Sequence, residues 1–313
     1  MGSEGFQERF VNPYTDFGFK KLFGTELNKE LLISFLNALL PEREQIMDVT
    51  YLNTEHLSDQ PVERRAVFDV YCTNEKGERF LVEMQRGEQQ FFKDRSLYYA
   101  TFPIREQARR GNDWDYRLKA VYVIGILNFT MDDCADSYYR REVKLMDTRT
   151  KDVFFDKLTF VYLEMPKFNK TESELETMFD KWLFVLRNLS RLMERPVALQ
   201  ERVFTRLFEA AEIARFSRPD LVAYEDSLKA YRDWYSVMKT AEDKGHAKGL
   251  VEGLEKGLAE GREKGLVEGR AEGRAEGREE ERLSIARMMK SQGISPEDIA
   301  LFTKLSVDEI NAL

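Results

Sequence analysis

The chain has 313 residues, of which 42% are hydrophobic and 33% are charged, so it is long enough for roughly two globular domains. Its formal net charge of −8 argues against a protein that coats nucleic acid through general positive charge. The longest strongly apolar run, Ala120–Leu127, is far shorter than the roughly 18–20 residues of a membrane span, and the first residues do not resemble a secretion signal, so we expect a cytoplasmic protein outside the membrane.

The first half of the chain predicts helices followed by a sheet. Thr15 and Asp16 open a short helix, and Asn28 caps an apolar-periodic run that Pro41 ends. Five strand-like runs follow, and a polar stretch between the third and fourth has the length of one helix. The strand runs are Val49–Leu52, Val67–Cys72, Arg79–Gln85, Lys119–Phe129 and Leu158–Met165, and the helix is Lys93–Arg110. This order predicts a mixed α/β (α+β) core.

A helical module is predicted over residues 171–241. Thr171 and Glu174 have the spacing of a capping box, and apolar residues follow at helical intervals. Pro196 and Pro219 then divide the stretch to about Ala241 into three amphipathic helices.

A charged segment with a Gly-x-x-x repeat occupies residues 242–282, with glycine at every fourth position from Gly245 to Gly277. A period of four drifts by about 40° per repeat around an α-helix, which excludes a simple heptad coiled coil. Each glycine costs about 1 kcal/mol relative to alanine, so the isolated segment should be at best partly helical. It predicts either a solvated spacer or a helix of weak self-association.

A small helical tail is predicted over residues 283–313, with helices at Ser295–Thr303 and Ser306–Leu313. The spacing is compatible with a helix-turn-helix. The second helix offers Asp308, Glu309 and Asn311 and no basic residue, so a helical hairpin without a DNA role is the better interpretation. Residues 242–313 could also support a homo-oligomer.

A β-hairpin is predicted around the turn Asn74–Glu78, in which Gly77 occupies a position that favours positive φ. If Lys76 lies at the tip, Asp69 and Glu83 face each other across the two strands. Directly opposed like charges destabilise an antiparallel pair, so something must compensate for them.

Alternation along the second strand places Glu83 and Gln85 on one face of an otherwise apolar stretch. Two nearby carboxylates either share a proton or bind a hard cation such as Mg²⁺. Phosphodiester hydrolysis is the chemistry that requires such a bound cation. With two cysteines and two histidines in the chain, any metal should be held by carboxylates. The alternative is a solvated sheet face whose acids pair with arginines; the candidates are Arg64, Arg65 and Arg79.

These residues resemble the PD-(D/E)XK nuclease superfamily, which has an acid on one strand and (D/E)-x-K on the next. More specifically, the chain resembles the Rpn family of recombination-promoting nucleases, also described as PD-(D/E)XK nuclease family transposases. Four pieces carry the resemblance in order: Asn12–Gly24, Glu83–Gln85, Arg95–Tyr99, and the Gly-x-x-x repeat with its short tail.

The resemblance implies a restriction-endonuclease-like core over residues 12–167 and a Mg²⁺-dependent DNA endonuclease, with Mn²⁺ as an alternative ion, associated with recombination or mobile elements. Asp69 and Glu83 would be metal ligands, and Gln85 would occupy the place of the superfamily lysine and position the attacking water. Asp16 could complete the acidic cluster; alternatively, it only satisfies backbone N–H groups at a helix start.

Gln85 departs from the superfamily motif. Its amide can only form hydrogen bonds, whereas the motif lysine also supplies a positive charge. This leaves a rival function: a catalytically weak or inactive nuclease fold that binds DNA or a protein partner and self-associates through its tail. Arg95 and Tyr99 share one helix face. Arg95 would contact phosphate and Tyr99 would position water or the strand. In the alternative, Arg95 pairs with Asp69 or Glu83, and Tyr98 or Tyr99 packs in the core.

Overall fold

A six-stranded mixed sheet forms the centre of the computed structural model, which describes residues 8–41, 45–52, 55–56, 66–88, 90–108, 115–131 and 137–313. The helices are α1 (Asp16–Phe23), α2 (Lys29–Leu39), α3 (Phe92–Arg105), α4 (Met178–Asn188), α5 (Arg202–Ala211), α6 (Arg218–Ser291), α7 (Pro296–Thr303) and α8 (Val307–Ala312). The strands are β1 (Val49–Tyr51), β2 (Glu55–His56), β3 (Ala66–Val67), β4 (Val70–Asn74), β5 (Arg79–Gln85), β6 (Val121–Leu127), β7 (Arg140–Met146) and β8 (Val153–Glu164).

The order of the large sheet is β1-β4-β5-β6-β8-β7, and β2 pairs separately with β3. Strands β1, β4 and β5 are antiparallel neighbours, β5, β6 and β8 are parallel, and β7 pairs antiparallel with β8 at the edge. Parallel neighbours need a crossover connection, which α3 provides between β5 and β6. The predicted mixed α/β class is confirmed.

Helices cover both faces of the sheet, because β4 and β5 alternate apolar residues between two cores. One core packs α1, α2, α4 and α5 against the face that carries Val82 and Met84. Trp182 lies fully buried within it, and its ring packs against Phe23 and Phe35. The other core packs α3 against the face that carries Leu81.

The predicted hairpin forms with the predicted register. Val70 pairs with Val82 and Thr73 pairs with Arg79, and Gly77 has a φ of +78° in the turn. This register places Asp69, the residue directly before β4, at the level of Glu83 on β5.

Two strand predictions were wrong in detail. The run Val67–Cys72 is interrupted at Phe68 and Asp69, and β8 begins at Val153 instead of Leu158. The sequence also missed β7, because none of its residues is buried. An exposed edge strand carries no alternation of buried and exposed positions from which it could be recognised.

Helix starts were predicted in the right regions with two errors of capping. Thr15 caps α1 as predicted, but the Asn28 side chain donates to the Lys21 carbonyl and does not cap α2. The capping box of Thr171 caps the N-terminus of only a short 3-10 helix, Glu172–Glu174. Helix α4 begins later, at Met178, where Thr177 forms a second capping box.

The chain divides into two compact units at Trp234 and Tyr235, a boundary that lies within α6. The prediction that a helix ends near Ala241 was wrong, because α6 continues without interruption through the whole glycine repeat. No proline breaks this segment, and ion pairs four residues apart, such as Lys248 with Glu252, support it. The domain limits proposed from the sequence stay predictions.

The second unit ends in the predicted pair of short helices. Ser295 and Ser306 cap α7 and α8 as expected. Ile299 and Ile310 pack with Ala286 of α6 in a small separate core. Within the described ranges, no helix combines the length and the apolar character needed to cross a membrane.

Replacing Gly18 by alanine should destabilise the first unit by about 2–4 kcal/mol. A Cβ at this position would lie 2.1 Å from the Asn12 carbonyl oxygen and 2.7 Å from Thr15 Oγ1. Since Asn12 and Thr15 fix the start of α1, the collision would displace that helix. Thermal unfolding of Gly18→Ala checks this; Gly249→Ala, which meets no atom within 4 Å, is the control. Equal melting temperatures of Gly18→Ala and wild type would contradict it.

Candidate active site

A cavity of about 340 Å³ opens at the carboxyl end of β5, the end of a parallel strand at which α/β proteins commonly bind ligands. It is enclosed by α1, α3, the hairpin β4–β5 and the first unit's part of α6. Its lining residues are Tyr14, Thr15, Asp16, Phe19, Asp69, Glu83, Met84, Gln85, Arg86, Gly87, Arg95, Tyr99 and Trp234. All six residues predicted for the site therefore lie around one cavity.

Asp69 and Glu83 are held against each other by the backbones of the two strands. The backbone N–H of Met84 donates to Asp69 Oδ2 at 2.8 Å, and the backbone N–H of Asp69 helps to lower the pKa of Glu83. The Asp69 carboxylate is thus fixed by the hairpin itself, at the point where its ladder ends.

Glu83 is a buried acid with an unused oxygen. The residue is only 9% exposed, and within the described residues its Oε1 makes no hydrogen bond. Burial, and then the charge of Asp69, raises the pKa of Glu83; burial also raises the pKa of Asp69. Because desolvation penalises the charged form, the pair favours a bound proton or a cation.

The predicted alternative, a solvated acidic face paired with arginines, was wrong in two respects. Glu83 is buried, so this face is not solvated, and Arg79, at the opposite end of β5, donates to Glu106 at 2.6 Å and to Tyr71. Arg64 and Arg65 lie outside the described residues.

Asp16 lies at the rim of the cavity at the first position of α1. Its Oδ1 accepts from Lys20 Nζ at 2.9 Å, and its side chain is half exposed. Its charge contributes to the raised pKa of Asp69. In the described part of the chain no group of three or more acids, histidines or cysteines is arranged to hold a metal, so Asp16 as a third ligand stays a prediction.

Arg95 and Tyr99 lie on one face of α3, as predicted, and both line the cavity. The Arg95 guanidinium lies 5.5 Å from the centroid of the Tyr99 ring, and the Tyr99 ring packs edge-on against Phe68 at 5.3 Å. Arg95 lowers the pKa of Glu83 through its charge, opposing the effect of burial. The structure thus places the positively charged Arg95 side chain beside the carboxylates, as predicted.

The chain matches the family model of the PD-(D/E)XK nuclease family transposases over residues 13–241. This range contains every residue of the cavity. The chain belongs to the PD-(D/E)XK nuclease family transposases. Neither a curated protein nor a solved structure matches it significantly. Membership supports a nuclease- or transposase-associated function and implies DNA binding.

The carboxylate pair fits the divalent cation that PD-(D/E)XK nucleases typically use. The fit rests on the buried, unpartnered Glu83 Oε1 beside Asp69, because oxygens of this kind are the ligands that Mg²⁺ and Mn²⁺ take. A cation there would also offset the burial that raises both pKa values and the repulsion from Asp69 that adds to it for Glu83.

Gln85, at the position of the motif lysine, is buried and bonded at both ends of its amide. Its Nε2 donates to Glu83 Oε2 at 3.0 Å, and its Oε1 accepts from Arg95 Nη2 at 2.6 Å. The amide therefore links a guanidinium to the acid. The motif lysine would supply positive charge from β5. In this family member Arg95 of α3 supplies it beside Glu83, and the charges of Lys20 and Arg86 lower the pKa of Asp69.

Sequence reasoning missed Trp234, Arg86 and Gly87 as residues of the cavity. Arg86 and Gly87 directly follow Gln85, so their nearness to the motif was a usable signal. Trp234 lies far along the chain on α6, and no local pattern could have assigned it to this site.

Proposed function

We propose that this family member is a Mg²⁺-dependent DNA endonuclease that hydrolyses phosphodiester bonds in recombination or mobile-element processes. The observation that carries the proposal is Glu83, a buried carboxylate that lines the cavity together with Asp69 and whose Oε1 has no hydrogen-bond partner among the described residues. Burying a carboxylate oxygen without a hydrogen bond costs free energy that a bound cation offsets.

Asp69 and Glu83 would hold the cation. When bound, it lowers the pKa of a coordinated water and stabilises the charge that develops on the phosphate. Arg95, with Arg86 nearby in the cavity, would bind phosphate oxygens through charged N–H donors. Gln85 and Tyr99 would orient the attacking water, and in-line attack would leave a 5′-phosphate and a 3′-hydroxyl.

A rival function is a nuclease fold that binds DNA or a protein partner without cleaving. The observation that favours it is Gln85, whose amide is already bonded to Glu83 and Arg95 and carries no positive charge. This rival predicts DNA binding that does not depend on the carboxylates.

Wild type should nick supercoiled plasmid with Mg²⁺ or Mn²⁺ and lose this activity in EDTA. Glu83→Ala, purified identically, should be inactive with either ion, because half of the proposed ligand pair is gone. Agarose-gel conversion of supercoiled to open-circular DNA measures both.

The control is Glu75→Ala, an exposed acid in the turn of the same hairpin, which should cleave like wild type. Equal nicking by wild type and Glu83→Ala would identify a contaminating nuclease. Absence of cleavage together with carboxylate-independent DNA binding would establish the rival. The Rpn assignment, a cytoplasmic location and self-association through residues 242–313 remain predictions from the sequence.

A further inference from the structure

Trp234 is an aromatic side chain in a cavity otherwise rich in polar and charged groups. It is partly exposed, and among the described lining residues it alone comes from α6. Nothing in the chemistry proposed above uses it. A ligand that carries both a phosphate and an aromatic ring would account for an indole that lines the same cavity as arginines and carboxylates.

The indole ring is held directly against the backbone at Gly87. A Cβ on Gly87 would lie 2.4 Å from Trp234 Cζ2 and 2.7 Å from Cη2. Both distances are too short for a side chain at position 87 unless the indole ring moved. Gly87 is two residues beyond Gln85, so this contact fixes the ring next to the strand that carries Glu83.

The helix that supplies Trp234 is itself fixed to α1. The backbone N–H of Asn12 donates to Tyr224 Oη at 3.1 Å, and that of Phe17 donates to Ser227 Oγ at 3.1 Å. Lys21 further pairs with Asp220 at 2.9 Å. Trp234 therefore projects from an anchored segment, as expected of a residue that positions a ligand.

We propose that Trp234 stacks on a nucleobase adjacent to the scissile phosphate, so that the preferred substrate is DNA with an unpaired base at that position. This inference rests on the proposed nuclease function and specifies its substrate. Indole faces stack on bases of any sequence. In an intact duplex the base is already stacked on its neighbours, so single strands, ends and mismatches are the DNA that can supply it.

The inference is tested with short labelled oligonucleotides in the Glu83→Gln background, in which binding is measured without cleavage. Fluorescence anisotropy should give an affinity for single-stranded DNA that falls about 5- to 150-fold in Trp234→Leu, the range expected for one lost base stack. Trp234→Tyr should retain the affinity within about threefold, because tyrosine also stacks.

An abasic nucleotide moved along the oligonucleotide separates stacking from a merely structural role. At one position it should weaken binding by the same factor as Trp234→Leu, and the two changes together should cost no more than either alone. Circular dichroism and melting temperatures that match between Trp234→Leu and Trp234→Tyr exclude misfolding as the cause.

Each outcome decides between the two proposals. Non-additive losses, with no cleavage by wild type of either the plasmid or the single-stranded oligonucleotide, support stacking and refute the nuclease. Stacking is refuted, and the nuclease is retained, if wild type cleaves DNA and Trp234→Leu leaves the affinity for DNA unchanged. The same conclusion follows if Trp234→Leu weakens the binding of abasic and intact DNA by the same factor. Absence of DNA binding by the full chain would overturn the inference, as would a preference for fully paired duplex.

Discussion

Glu83→Gln should abolish cleavage and at the same time stabilise the metal-free protein. The substitution keeps the shape of the side chain and removes its charge. Losing the cation's stabilisation of the transition state, worth several kcal/mol, should lower the cleavage rate by about 10³-fold or more. Removing an ionisable group whose pKa is raised by burial should raise the free energy of unfolding in EDTA by about 1–3 kcal/mol.

The pH dependence of this stabilisation follows from the raised pKa of Glu83. In the unfolded chain the group ionises near its ordinary value, whereas in the folded chain it holds its proton to higher pH. The folded wild type therefore loses stability as the pH rises from the unfolded value through the folded one. The advantage of Glu83→Gln should be small near pH 4 and largest above neutrality.

Thermal melts from pH 4 to 9 in EDTA and in Mg²⁺ measure both effects. Mg²⁺ should raise the melting temperature of wild type and leave that of Glu83→Gln unchanged, because binding stabilises only the protein that holds the ion. Glu255→Gln, which replaces an exposed acid of α6, should behave like wild type throughout. Parallel pH profiles of wild type and Glu83→Gln would contradict the expectation, as would retained cleavage by Glu83→Gln.

Replacing glycines in α6 by alanine should strengthen that helix substantially. A Cβ at any position from Gly245 to Gly277 in the repeat would meet no atom within 4 Å, so no steric cost opposes the gain in helix propensity. Each substitution should stabilise the helix by about 0.8–1 kcal/mol. Changing Gly253, Gly257, Gly261 and Gly265 together should therefore contribute about 3–4 kcal/mol.

Amide hydrogen exchange across α6 measures this gain, because slower exchange reports rarer local opening. Gly293→Ala is the matched control. Gly293 has a φ of +84°, which alanine adopts poorly, so this substitution should destabilise the second unit by about 1 kcal/mol. Unchanged exchange in the quadruple variant would mean that packing, and not backbone propensity, holds the segment helical.

The hairpin and its acids were predictable because their determinants are local. Strand alternation and Gly77 fixed the register, and the register brought Asp69 to Glu83. The side of α3 that carries Arg95 followed from helical spacing. In contrast, the bond from Arg95 to Gln85 depends on how α3 crosses the sheet, and the burial of Glu83 depends on the whole first unit.

Trp234 and β7 show what local patterns do not encode. Trp234 reaches the cavity only because α6 is bonded to α1, a long-range arrangement without a sequence signature. The length of α6 was also missed, since the low propensity of its glycines argued for a break that the continuous helix does not contain.

The exposed edge strand β7 has a consequence for behaviour at high protein concentration. Its seven residues include Arg140, Arg141, Glu142 and Lys144, interspersed with exposed apolar side chains. Backbone groups at a sheet edge can template pairing with other chains, and charged side chains obstruct this because a second strand would have to desolvate them. The charges of β7 thus protect the molecule against fibrillar aggregation, and their replacement by β-branched residues would favour insoluble assemblies.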